Sequence, residues 1–349
     1  MARLDNLLKY ALSMGASDLH IVAESVPLMR IHGELRPLKA NVMNAKETLS
    51  LVGEILNQEQ KEFFTKNLDL DFCYDSPEIG RFRTNILKQR KGVDAVFRII
   101  RNVIPSLEEL GFPQVVKEFT KHHHGLVLVT GPSGSGKSTT LAAMIDYINS
   151  SQKLHIITVE DPIEYVQAGK TAHVTQREVK RHTETFATAL KAALREDPDV
   201  ILIGEMRDLE TISMAITAAE TGHLVLGTLH TRSAGKTVDR IIDAFPPNQQ
   251  NQIRSMFSES IRGVVSQQLV PKADGSGRAL AYEILVGTQA IANLIREGKS
   301  FQIPSLMQIG IKDGMILMDQ CLAKLVNARI ITYDQALLRA ENKKLIPKQ

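Results

Sequence analysis

The chain has no tryptophan, only two cysteines and few aromatic residues, which make up 5% of its 349 positions. Cys73 and Cys321 stand far apart, so neither a disulfide framework nor a zinc site of CxxC type can be built from them, and a reducing compartment fits. Single-stranded nucleic acid is held largely by stacking bases on aromatic side chains, and this chain offers few of them. Its net charge of +3 supplies no strong field for a nucleic-acid backbone either. No direct nucleic-acid partner is expected. No apolar run approaches the roughly 18 residues of a membrane span. The opening MARLDNLLKYAL carries Arg3, Asp5 and Lys9 inside its apolar pattern, unlike a secretory leader. The expectation is a soluble, intracellular protein.

Hydrophobic residues at 43% and charged ones at 23% supply a core of ordinary size, and the length suits two domains. The chain is organised around residues 126–140, LVLVTGPSGSGKSTT. Leu126 to Thr130 read as a buried strand. Gly131, Pro132, Ser133, Gly134, Ser135, Gly136, Lys137 and Ser138 then match G-x-x-x-x-G-K-[ST] at each fixed position, and Thr139 follows. The glycines let successive backbone N–H groups converge on one phosphate chain. Lys137 can reach the β- and γ-phosphates, and the Ser138 hydroxyl can sit on Mg²⁺. Leu141, Met144, Ile145 and Ile148 recur at helical spacing, so a helix begins at the loop and turns its positive dipole end toward the anion. A nucleoside triphosphate with Mg²⁺ is the expected ligand.

Before residue 104 the pattern is that of a small sheet with helices. An amphipathic helix covers 3–14, strands are expected at 17–21, 27–33, 69–74, 81–87 and 94–101, and residues 46–65 read as helical. Arg81 and Arg83 share one strand face, while Arg98 faces away from Phe97 and Ile99. These arginines are either solvated cations or a basic surface aimed at a nucleotide held elsewhere. Residues 104–120, with Pro105, Gly111 and Pro113, read as a linker. His122, His123 and His124 cannot converge on one ion from a strand or a helix.

From residue 125 strands alternate with helices, the sign of a mostly parallel sheet. A strand at 154–159 ends at Glu160-Asp161-Pro162-Ile163-Glu164. Another at 200–203 ends at Gly204-Glu205, and a third at 224–229 ends at His230. Ligands of such sheets bind at the carboxyl ends of the strands. Glu205 suits the polarising of an attacking water. The Asp that usually precedes this acid is replaced by Gly204, which shifts the metal toward Ser138, Glu205 and carboxylates from Glu160, Asp161 or Glu164. His230 can donate a hydrogen bond to a γ-phosphate. His223 follows Gly222 and either caps a helix or joins the nucleotide site. Beyond residue 250 helices are expected at 247–268, 288–297, 313–328 and 333–343, with a surface turn at 271–277.

Five blocks together resemble the secretion ATPases, and among them the type IV pilus retraction ATPases of the PilT family. They are ASDLHI (16–21), GPSGSGKST (131–139), VEDPIE (159–164), REDPDVILIGEMRDLETI (195–212) and AAETGHLVLGTLHT (218–231). The resemblance implies an α/β protein with a small PAS-like α+β N-terminal domain at 1–103, the linker at 104–120, and a RecA-like P-loop ATPase domain with a helical C-terminal part at 121–349. It implies a homo-hexameric ring that hydrolyses ATP with Mg²⁺ and drives pilus retraction and twitching motility. Such a ring is cytoplasmic and meets the inner face of the cytoplasmic membrane only through partners, the pilus machinery and its inner-membrane platform protein. Arginines of the first domain complete the nucleotide site in such rings, and Arg81, Arg83 and Arg98 fit those positions.

Pilus assembly and type II secretion ATPases carry a longer N-terminal part and usually a tetracysteine zinc insertion. Two cysteines and a first domain that starts at once fit the retraction branch better. A RecA-like DNA motor is the competing reading from another class. Two positions depart from the family pattern: Ala292 stands where the late motif AIRNLIRE has Arg, and Arg232 stands where Thr is common. No residue type of a nucleotide site stands in that late helix, so it is expected to pass movement on and not to hydrolyse, and by resemblance the retraction branch needs it for function.

Overall fold

Period-two alternation should put Leu19 with Ile21, Phe82 with Ile86, and Ala95 with Phe97 on the covered faces of their strands. In the computed structural model all of these side chains are buried. The structure describes residues 3–31, 33–100 and 103–348, so His32 and Arg101, expected inside strands, lie outside the described residues. The chain divides into two units at Val103.

The first unit runs α1 (Arg3–Ser13), β1 (Asp18–Ile21), β2 (Leu28–Ile31), β3 (Glu34–Pro37), α2 (Ala45–Gly53), α3 (Gln58–Asn67), β4 (Asp69–Ser76), β5 (Gly80–Gln89) and β6 (Gly92–Ile100). Its strands form one antiparallel sheet in the order β3-β2-β1-β6-β5-β4. Leu4, Leu8 and Ala11 of α1 share its core. The helix expected across 46–65 is broken in two because Asn57 starts a second one. The Asn57 side chain accepts the Gln60 N–H, and the Gln60 side chain accepts the Asn57 N–H in return. Strand β3 was not expected; all four of its residues are exposed, so it carries no alternation to read.

The second unit runs α4 (Gln114–Phe119), β7 (Gly125–Thr130), α5 (Lys137–Ser151), β8 (His155–Glu160), β9 (His173–Glu178), α6 (Phe186–Ala193), β10 (Val200–Ile203), α7 (Leu209–Glu220), β11 (Leu224–Leu229), α8 (Ala234–Asp243) and α9 (Pro247–Ser260). Strands β12 (Ile261–Pro271) and β13 (Arg278–Val286) follow, then α10 (Gln289–Arg296), α11 (Ile303–Ile309), α12 (Met318–Asn327) and α13 (Tyr333–Leu337). The sheet order is β13-β12-β7-β11-β10-β8-β9. All neighbours are parallel except the β12–β13 hairpin. Strands β7, β11, β10 and β8 therefore end side by side along one edge.

Residues 261–268 correct the helical expectation. Ile261, Val264, Val265 and Val270 are buried within β12, which lies inside the sheet. A strand covered on both faces reads as a continuous apolar run without a period of its own. Strand β9 was missed for a related reason, since HVTQRE is mostly polar at the sheet edge. Residues 104–120 also differ from expectation. Leu107, Phe112, Val116 and Phe119 are buried in the core of the second unit, so this stretch is packed and does not hang free.

Gly263 shows how tight that packing is, because a Cβ there would meet the Phe119 ring at 2.3 Å. Phe119→Ala should lower stability by about 3–5 kcal/mol, read as a fall in melting temperature. A free linker would leave the melting temperature unchanged.

Candidate active site

All six residues of β7 are buried, so the strand is a fixed platform from which residues 131–136 emerge. Gly131 has φ +144°, and a Cβ there would lie 2.3 Å from the Gln267 carbonyl oxygen and 2.6 Å from Ser135 Oγ. Only glycine fits such a close approach. Strand β12 clamps the loop from outside. The Gln267 amide donates to the Ser135 carbonyl at 2.8 Å, and its oxygen accepts from Thr140 Oγ1 at 2.9 Å. Beside it Thr130 Oγ1 and Ser266 Oγ are 2.7 Å apart.

Lys137, the first residue of α5, is buried, and its Nζ donates to the carbonyls of Gly131 at 2.9 Å and Pro132 at 3.1 Å. Burial holds its ammonium below the ordinary lysine range, while the carboxylates of Glu205 and Glu164 act against that shift. Their influence brings both acids to the loop. Ser138 follows Lys137 and is exposed. The acidic segment after β8 is docked on α5, with Tyr165 Oη 3.0 Å from Thr139 Oγ1 and Gln167 Nε2 donating to the Ala142 carbonyl.

Glu205 sits just past β10. One of its oxygens lies 2.5 Å from Arg207 Nε and 3.0 Å from His230 Nε2, the imidazole standing just past β11. Burial pushes the Glu205 carboxyl up, but Arg207, His230 and Lys137 together outweigh it and hold it below the ordinary range. A carboxylate so held is a permanent acceptor at neutral pH, the state needed to orient water. Gly204 has a steric reason: a Cβ there would lie 3.1 Å from the Val159 carbonyl oxygen and 3.2 Å from Glu160 Cα. The position usually held by Asp is pressed against the backbone of β8. Asp161 acts electrostatically on Arg207. Glu160 is engaged elsewhere, accepting from Thr158 Oγ1 at 2.7 Å and Gln176 Nε2 at 3.1 Å.

His223 is a correction. It precedes β11, its N–H and its Nδ1 both reach the Ala218 carbonyl, and its own carbonyl accepts the Gly125 N–H at 3.0 Å. Since β7 and β11 are parallel, it stands at the edge where they begin, opposite the loop. Six strand residues lie between it and His230, so the two are about 23 Å apart at 3.3 Å per residue over seven steps. Within one chain His223 closes the end of α7 and does not reach the nucleotide loop.

In the first unit, Arg83 of β5 lies directly across from Arg98 of β6, and Asp18 of β1 lies across from Arg98 on the other side. Asp18 is buried and holds Arg98 Nε at 2.9 Å, with Arg30 Nε at 3.8 Å. Arg81 is buried with Nε 3.5 Å from Asp75, whereas Arg83 is exposed. The three arginines thus differ: one is covered, one is clamped and one is open.

Two further arginines escaped the sequence reading. Arg278 of β13 and Arg339, after α13, line a cleft of about 320 Å³ together with Pro132 to Ser135. Arg339 is held by the carbonyl and the side-chain oxygen of Gln335 at 2.9 and 2.7 Å. Nothing in their local sequence points to the loop, because the hairpin and the C-terminal helices bring them there.

Residues 1–303 match the family model described as Type II/IV secretion system protein. The chain is 50% identical over 321 residues to the twitching motility protein of Neisseria gonorrhoeae, covering 92% of this chain and 86% of that one. It is 49% identical over 338 residues to the type IV pilus retraction ATPase PilT of Pseudomonas aeruginosa PAO1, covering 97% and 98%. The chain belongs to the PilT family of type II/IV secretion ATPases. A crystal structure of the pilus retraction motor PilT with bound ADP superposes with a TM-score of 0.92 at 47% identity, covering 99% of this chain and 98% of that one. The enzyme is accordingly an ATPase of this family. Ala292 is on the buried side of α10, and Arg232 is exposed between His230 and α8.

For this ATPase, Glu205→Gln should still bind ATP but hydrolyse it about 10²–10⁴-fold more slowly, the range for a positioned acid–base group. Glu160→Gln should lose less than about tenfold, because Thr158 and Gln176 already occupy that carboxylate. Steady-state phosphate release decides between them, and the reverse order would move the role to Glu160.

Proposed function

We propose that the chain is a homo-hexameric motor in which ATP hydrolysis drives retraction of a type IV pilus. The observation that carries this reading is near-full-length identity of about half to proteins named for twitching motility and pilus retraction, on a chain whose catalytic edge is intact. The backbone N–H groups of residues 131–137 and the Lys137 ammonium hold the phosphates. Glu205 orients the attacking water, and His230, in contact with Glu205, reads the γ-phosphate. Glu164 adds negative potential beside Lys137.

Mg²⁺ suits this donor set. Mg²⁺ usually keeps several waters and is bound through one or two carboxylates together with substrate phosphates. The Ser138 hydroxyl would bind it, with Glu205 and Asp161 reaching it through water. When bound, it neutralises charge on the phosphates. No helix among the described residues is long and apolar enough to cross a membrane. Attachment to the inner face of the cytoplasmic membrane then runs through the pilus machinery and its inner-membrane platform protein.

The arginine that acts on a neighbouring subunit's phosphates is Arg83. It is the open member of the set, while Asp18 restrains Arg98 and Asp75 accompanies Arg81. Such an arginine is worth about 10³–10⁵ in rate. Mixing Arg83→Ala subunits with Glu205→Gln subunits should restore part of the hydrolysis that each lacks alone. Mixtures that stay inactive, while each variant still forms rings, would count against a shared site. Deletion in the source bacterium tests the direction of movement. Hyperpiliated cells without twitching support retraction, bald cells mean assembly, and normal pili oppose both.

A further inference from the structure

One buried acid has no part in the chemistry above. Glu283, on β13, is 6% exposed and makes no ion pair among the described residues. An uncompensated carboxyl in such a place is costly. Burial pushes it up, and two backbone N–H groups act against that shift. Its Oε1 accepts the Ala234 N–H at 2.7 Å and its Oε2 accepts the Met318 N–H at 3.3 Å. These are the first residues of α8 and α12, whose leading N–H groups have no partner within their own helices.

The two helices lead to different places. Helix α8 begins four residues after His230, and Thr231 at that junction is tied to Thr237 at 2.7 Å between hydroxyls. Helix α12 begins the C-terminal helical part. Its second residue, Asp319, is buried and accepts the N–H groups of Glu341 at 3.0 Å and Asn342 at 2.7 Å. Glu283 itself lies across from Ser266, whose hydroxyl meets Thr130 at the end of the loop strand. One carboxyl therefore joins the histidine loop, the rim of the nucleotide strand and the C-terminal helices.

We propose that Glu283 is a positioning residue: it holds residues 231–234 so that His230 stays on Glu205, and it carries displacement of that loop to α12. This rests on His230 acting in hydrolysis. Glu283→Gln keeps the shape of the side chain but turns an NH₂ group toward one of the two N–H donors, so one bond is lost. Its kcat should fall about tenfold, the worth of one hydrogen bond to a charged group, with KM for ATP within about twofold. In a His230→Ala background the same change should cost less than about twofold, because the group it positions is gone.

Equal losses in both backgrounds would mean a merely structural role and overturn the proposal, as would no loss in either. A silent His230→Ala would instead bring down the reading of His230. Hydrogen exchange on the unmodified full-length protein gives the second readout and needs no variant to fold. On replacing ADP with a non-hydrolysable ATP analogue, residues 234–237 and 318–321 should change protection together. A change at 234–237 with none at 318–321 would overturn the coupling.

Discussion

Lys137 is 9% exposed, and a cation taken out of water must be repaid by its surroundings or lose its proton. Two loop carbonyls accept its hydrogen bonds, and Glu205 and Glu164 supply opposing charge. Most of the site follows from that requirement. The loop must fold back far enough to offer its carbonyls, which only glycine permits at residue 131. The acids stand past the ends of β10 and β8, which run parallel to β7 in the order β7-β11-β10-β8 and end along the same edge.

The same crowding decides details that look arbitrary in isolation. Gly204 is small because β10 ends against the backbone of β8. Glu205 is held by Arg207 and His230 at once, which ties the end of β10 to the end of β11. Gln267 binds the loop to β12, and through the β12–β13 hairpin the edge continues to Glu283 and the C-terminal helices. A series of hydrogen bonds therefore links the nucleotide loop to distant parts of the second unit.

How much of this was legible depended on whether the signal was local. Gly131 to Ser138, Glu205 and His230 could be placed at one sheet edge because buried parallel strands are continuous apolar runs, and each of these groups directly follows one, whereas Glu160, the last residue of β8, is occupied by Thr158 and Gln176. Gln267, Arg278 and Arg339 were not, because the elements carrying them reach the loop only through tertiary packing. Strand β12 was hidden by being apolar on both faces directly after a helix. His223 was misplaced because it lies near His230 in sequence, while a six-residue strand carries the two to opposite edges of the sheet. The stretch 104–120 looked like a linker from its prolines and glycine, but its four apolar anchors at 107, 112, 116 and 119 pack into the core. Arg81, Arg83 and Arg98 share a pattern in sequence, and only the positions of Asp18 and Asp75 separate them into different environments.

The buried lysine should bind the nucleotide by its charge. Calorimetric titration of Mg·ATP into Lys137→Ala, beside the unaltered protein, tests it most directly. Losing charge-assisted hydrogen bonds worth about 1.5–3 kcal/mol should weaken binding about ten- to a hundredfold or more, with the melting temperature held or raised because a buried charge has gone. An unchanged affinity in a folded Lys137→Ala protein would contradict the account.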